Sequence, residues 1–286
     1  MSALAWLTCK AFIEQQSPQE QKRLLEFLPQ KERKQLQSLR FAQPGWEDKP
    51  VRIEDALDII HPSWILPLLH PTLTMQEVGF ILASLAPHQA SVLKSQLHYM
   101  RPLPSLTPLG KSYLRNDLLQ KVPGAEDLVP INALPESTLN VLTNQSFMSL
   151  LKLIFSLGLK DLSQYLKLVI DKNKRKGIEA ALSPEEWQAL ENLSMKKDPV
   201  AGGKEIFDAW TGEPEKLRLL IEQRGINRLA KALFGEHVAL LWYVMHILDT
   251  ARANFLHKLC SESPSKATHD FLKTQIIETL QTLKTD

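Results

Sequence analysis

Cysteine is scarce in this sequence: two in 286 residues, Cys9 and Cys260, far apart. That excludes a disulfide framework and a cysteine-built zinc cluster, and it makes a reducing compartment the default. Glycine is scarce too, at 11 residues. No stretch alternates apolar and polar side chains for long, so the patterns of strands and of glycine-rich phosphate loops are missing. There is no long hydrophobic run. The longest apolar stretch, VALLWYVMHIL (238–248), is about half of what a bilayer span needs. Charge of one sign is also lacking. The net charge of +2 at pH 7 is too balanced to argue for nucleic acid. The opening MSALAWLTCKAFIEQQ has no basic n-region and reaches Glu14 before any long apolar run, so it does not read as a signal peptide. At 44% hydrophobic and 23% charged, the chain has the composition of an ordinary globular protein able to bury a core. The expected setting is the cytoplasm, without direct membrane insertion.

What is present is helical spacing almost everywhere. The segment SPQEQKRLLEFLPQKERKQLQSL places Leu24, Leu25 and Leu28, then Leu36 and Leu39, at helical intervals. Three capping boxes mark helix starts: Ser17 with Glu20, Thr74 with Glu77, and Ser183 with Glu186. In each, the hydroxyl accepts from the third residue's N–H while the carboxylate reaches back. A packing unit recurs in ILASLAPHQASVLKSQL (81–97) and GIEAALSPEEWQALENL (177–193). A leucine ends one helix, proline starts the next, and a leucine returns six residues later. LLEFLPQKERKQLQSL nearly fits it. This is the pattern of an αα-hairpin. The fold class is therefore all-α, an irregular multi-helix bundle built of αα-hairpins. The expected organisation is a helical segment over 1–40, a middle helical unit over 52–134 and a C-terminal helical unit over 135–286. The proline-rich 100–110 and 122–137 connect it around a short helix from about Ser112 to Lys121, and Phe41–Val51 reads as a linker.

The search for chemistry finds little. PLGKS (108–112) ends like a phosphate-binding loop, but Ser105 stands where the first glycine belongs. AGGKE (201–205) reads as a flexible turn. The cations Lys172, Lys174, Arg175 and Lys176 read as a solvated helix end. No two histidines sit three or four residues apart, as a shared metal ion on a helix requires. No cofactor, metal site or catalytic residue is assigned. The apolar helix containing Trp242 and Tyr243 reads as central and buried. The last helix puts Leu272, Ile276, Leu280 and Leu283 on one face, to pack either on its own domain or in a partner's groove.

The stretch DIIHPSWILPLLHP (58–71) is apolar yet carries three prolines, two histidines and a tryptophan. Proline after His61 and after His70 pushes each histidine out of the helical region. The helix VRIEDALDII must end near Ile60, and Pro62 begins a short second helix stiffened by Pro67. Trp64 anchors this rigid corner. The segment resembles the "yLHPsWL"-type stretch of the cytosolic adaptor family of type III secretion systems, the SctK family (YscK, OrgA, MxiK). Two further blocks keep the family's order. In Ser149–Leu190 a leucine-rich helix ends in a Leu157-Gly158-Leu159 turn, with Ile170 and Glu185 following. GINRLAKALFGEHVALLWYVMHIL carries the late glycine and tryptophan at Gly235 and Trp242. The segment LHPTLTMQEVGFILASLAPHQASVLKSQL is also similar to the repeats of the flagellar switch protein FliG, whose charged torque helix is not recognisable here.

The resemblance implies a non-enzymatic adaptor at the cytoplasmic face of the inner membrane. Its partners would be an SctD-like inner-ring cytoplasmic domain and an SctQ-like platform protein, with no nucleic acid. His61, Trp64 and Leu68 would shape one docking surface, while Trp242 and Phe255 would support another. The alternatives are a FliG-like switch component or an all-α enzyme with a site assembled from Glu236, His237, His246 and Asp249. Convergence of both histidines and a carboxylate on one pocket would favour the enzyme.

Overall fold

The computed structural model describes residues 3–14, 16–39, 53–69, 73–195, 198–200 and 203–285. Among them there is no strand, and the chain is all-α. The expected linker Phe41–Val51, the His70-Pro71 pair and part of the 201–205 turn lie outside the described residues. None of the described helices is long and apolar enough to cross a membrane.

Two compact units form. The first comprises Met1–Asn144 with Glu236–Thr250, and the second Gln145–Gly235 with Ala251–Asp286. The first unit opens with α1 (Ala3–Glu14), α2 (Pro18–Glu26) and α3 (Gln30–Ser38). A 3₁₀ helix (Ile53–Ile59), α4 (Pro62–Ile65) and a second 3₁₀ turn (Leu66–Leu69) follow. Next come α5 (Met75–Ser84), α6 (Pro87–Gln96) and α7 (Pro108–Gln120). Short 3₁₀ turns then lead to Asn144. The second unit contains α8 (Phe147–Leu166), α9 (Lys172–Ala181), α10 (Pro184–Ser194), α11 (Lys204–Asp208) and α12 (Pro214–Leu233). The chain returns to the first unit with α13 (Val238–Ile247), then completes the second with α14 (Thr250–Leu259) and α15 (Lys266–Thr285).

Local chemistry explains most helix starts. All three capping boxes form. The Ser17, Thr74 and Ser183 backbone N–H groups donate to the Glu20, Glu77 and Glu186 carboxylates at 3.4, 2.7 and 2.8 Å. Both copies of the recurring turn share one shape, with Leu85 and Leu182 extended just before a proline-led helix. The helix expected from Ser112 begins earlier, because Thr107 is a side-chain cap and Pro108 stands in the first turn. The PLGKS stretch is thus the first turn of α7, and the Gly110 N–H is taken by Thr107 Oγ1 at 3.1 Å. Residues 53–59 wind as a 3₁₀ helix rather than the α-helix expected.

Two buried polar side chains fix that 3₁₀ segment inside the first unit. Gln89 of α6, fully buried, donates from Nε2 to the carbonyls of Leu57 and Ile60, both at 2.7 Å. Arg115 of α7 donates to the Glu54 carbonyl at 2.8 Å and to Asp58 at 2.9 Å. These bonds tie the segment to α6 and α7, and the Leu57 carbonyl also accepts from the Ile60 N–H at 3.2 Å.

In the second unit α8 and α12 pair along their length. The Leu157-Gly158-Leu159 segment is not the turn expected, since α8 runs unbroken through it. Gly158 instead lets the helices touch. A Cβ there would stand 1.9 Å from the Ile221 carbonyl oxygen, and one on Gly225 would stand 1.8 Å from that of Ile154. Leu272, Ile276 and Leu280 of α15 are buried, and that helix packs on α8 and α12 of its own unit. Phe234 leaves the helical region at the end of α12 (φ −57°, ψ 128°), and Gly235, at φ +75°, completes the turn after it in the left-handed conformation that glycine adopts without steric cost.

Candidate functional site

The HPSW corner is a tightly bonded knot in the first unit. His61 is extended (φ −64°, ψ 137°), as the following proline requires, and its Nδ1 accepts from the Ser63 N–H at 3.2 Å. The imidazole is the helix cap. Ser63 Oγ accepts from the Thr250 N–H at 3.1 Å and lies 2.9 Å from His61 Nδ1, to which it donates. The His61 N–H donates to the His246 carbonyl at 2.7 Å, and Trp64 Nε1 donates to the Leu248 carbonyl at 2.9 Å. The His246 ring lies between two indoles, with centroids 4.3 Å from Trp64 and 4.0 Å from Trp242. Trp242 Nε1 donates to the Pro123 carbonyl at 2.9 Å, and the Tyr243 hydroxyl to that of Val129 at 2.7 Å. His61, Trp64 and Trp242, assigned from sequence to two different surfaces, are therefore brought into one cluster. Leu68 is half-buried beyond the corner, and Phe255 is half-buried on α14 in the second unit.

Trp64→Ala is expected to act through stability. Its ring is half-buried and its N–H is bonded, so loss of packing and of that bond sum to about 3 kcal/mol. Urea denaturation measures it. An unchanged midpoint would mean that the indole stands free to meet a partner.

His246 carries a second prediction. Its Nδ1 lies 2.8 Å from the Trp242 carbonyl, which only accepts, so Nδ1 carries a proton. Among the described residues Nε2 has no hydrogen-bond partner. Burial lowers its pKa from 6.5 to about 4, opposed by the bond to Trp242. The unfolded chain thus takes up a proton below pH 6.5 that the folded chain refuses until about pH 4. Stability from this residue is complete above pH 6.5 and declines as pH falls towards 4. By pH 5 the loss is about 2 kcal/mol. His246→Phe should flatten that part of the profile of unfolding midpoint against pH. An equal slope in the variant would refute the assignment.

The proposed enzymatic constellation does not converge. His237 caps α13 as His61 caps α4, accepting from the Ala239 N–H at 3.2 Å. His246 is nine residues further along the same helix, about 13 Å by its rise. Glu236 and Asp249 flank opposite ends of that helix. Among the described residues no three His, Cys, Asp or Glu side chains gather as a metal site requires.

An open groove of about 560 Å³ lies in the second unit. Leu151, Phe155 and Leu159 of α8 form its floor, with Ala189 of α10 and Leu283 of α15 on its walls. A smaller depression of about 270 Å³ shares Ser156, Ala189 and Leu283 and includes Lys160 and Leu193. The trough thus follows α8 from residue 151 to 160, about 13 Å. Ion pairs stand on its rim. Arg218 grips Glu186 with two bonds, at 3.0 and 2.9 Å, and lies over the Phe155 ring at 5.7 Å. Arg252 pairs with Glu222. Sequence reading missed this groove because five helices contribute to it.

Cys260, partly buried in the same unit, has its thiol pushed up to about 11 by burial, so it stays protonated and unreactive at neutral pH. Comparison with protein-family models, with curated proteins and with solved structures finds no match for this chain.

Proposed function

We propose that this protein is a non-enzymatic adaptor that docks a helix of a partner protein in the α8–α10–α15 groove. The observation that carries this reading is the shape and chemistry of that trough. Its floor is apolar, its rim holds paired charges, and its length of about 13 Å accommodates anchors at i, i+3, i+4 and i+7 of a helix, which span about 10 Å. The apolar floor supplies affinity, and the rim ion pairs set register. The bonded corner around Trp64 serves as scaffold: its indole and the capping His61 are hydrogen-bonded within the protein.

The setting we propose is the type III secretion apparatus, on the resemblance of the HPSW, Ser149–Leu190 and Gly235–Trp242 segments to the SctK adaptors. There the chain would link the inner ring's cytoplasmic domain to the cytosolic platform complex. Co-expression with each of those two proteins tests this. Retention of one or both through size-exclusion chromatography is the expected result. Failure to retain either would refute the setting.

A further inference from the structure

The loop between α8 and α9 does something that neither the groove nor the corner explains. Leu168 is 60% exposed and Ile170 is 95% exposed, so two large aliphatic side chains stand out in water. Between them Val169 turns inward and packs against the core of the second unit. Two hydrogen bonds anchor the loop at its ends. The Leu168 N–H donates to the Tyr165 carbonyl at 2.8 Å, and Asp171 caps α9 by accepting from the Asn173 N–H at 2.8 Å. Around the two aliphatics, residues 167–176 carry five basic side chains, Lys167, Lys172, Lys174, Arg175 and Lys176, against the single carboxylate of Asp171. Lys174 is drawn towards Asp208, donating to its carbonyl at 3.0 Å, and lies over the Tyr165 ring. Lys172, Arg175 and Lys176 are exposed, as is Lys167 on the α8 side.

We infer that this loop is a contact for an anionic membrane surface, with Leu168 and Ile170 entering the headgroup layer and the surrounding lysines and arginine meeting lipid phosphates. Clusters of this size on a protein surface are attracted to anionic lipid, and aliphatic side chains at the same spot add burial in the interface. The geometry favours a lipid surface over an acidic protein. The aliphatics project from a turn, and a fluid interface needs no matched pocket to receive them. A chain at the cytoplasmic face of a membrane would use such a contact, but the inference rests on this loop alone and not on the groove.

Vesicle co-sedimentation of the full chain tests it, with phosphatidylcholine vesicles alone or doped with phosphatidylglycerol. Two double variants are compared, Leu168→Ser with Ile170→Ser, and Lys172→Glu with Lys176→Glu. All four positions are exposed, and melting temperatures confirm that the variants fold. The expected result is binding to doped vesicles only, weakened by salt, and reduced by about tenfold or more in each double variant. Ala189→Arg, which fills the groove, should bind vesicles as the unaltered chain does. Three results would overturn the inference: no binding to doped vesicles, equal binding by the aliphatic variant, or binding to polyglutamate with none to vesicles. The last would assign the patch to an acidic protein.

Discussion

Gly158→Ala and Gly225→Ala are each expected to cost about 4 kcal/mol or more and to leave the second unit largely unfolded. Overpacking of a core costs about 1–3 kcal/mol when a flexible side chain can yield. Here the added methyl meets backbone. It would sit 1.9 Å from the Ile221 oxygen in one case and 1.8 Å from the Ile154 oxygen in the other, where ordinary contact begins at 3.4 Å. The only relief is to part α8 from α12, and the buried residues of both helices would lose their packing together. Thermal denaturation followed by circular dichroism measures the effect. An alanine variant that melts with the unaltered chain would mean that the two helices do not touch.

Asp161→Ala is expected to destabilise by about 3–5 kcal/mol, because it leaves a buried charge uncompensated. The Asp161 side chain is fully buried and accepts from Arg224 Nε at 2.7 Å and Arg228 Nε at 2.8 Å. Arg228 is only 1% exposed and reaches on to Asp198 at 2.8 Å and to Gln275 of α15 at 2.7 Å. One guanidinium thus ties α8, α12, α15 and residue 198 together. Replacing both partners at once, with Asp161→Leu and Arg228→Met, should recover part of the loss, since the buried pair then leaves together, while Arg224 and Asp198 each lose one partner and keep the recovery partial. Urea denaturation of the single and double variants reads this. A single variant within about 1 kcal/mol of the unaltered chain would contradict a buried network.

What the sequence made legible was local. The capping boxes, the proline-led helix starts and the extended His61 follow from residues within a few positions of each other, and they appear as read. The long-range pairings were not legible. Trp64 and Trp242 meet around His246 across most of the chain, and nothing near either residue announces the other. At Gly158 the family resemblance implied a turn, yet the glycine serves helix contact, with its partner face on α12 more than sixty residues away. Asp161 did leave a trace. Leu150, Leu153, Ile154 and Leu157 define the buried stripe of α8, and Asp161 falls four residues further along it. Arg228 falls likewise on the stripe of Leu217, Ile221 and Gly225. A charge on a core stripe at two places demands a partner, and each is the other's.

The groove's role is tested most directly by the affinity of the Ala189→Arg variant for the inner-ring cytoplasmic domain or the platform protein, whichever the unaltered chain retains. Ala189 is exposed on the groove wall, so the longer side chain fills the trough without entering the core. The account predicts an unchanged melting temperature and binding weaker by about tenfold or more, as loss of a central anchor contact produces. Binding equal to that of the unaltered chain would contradict it.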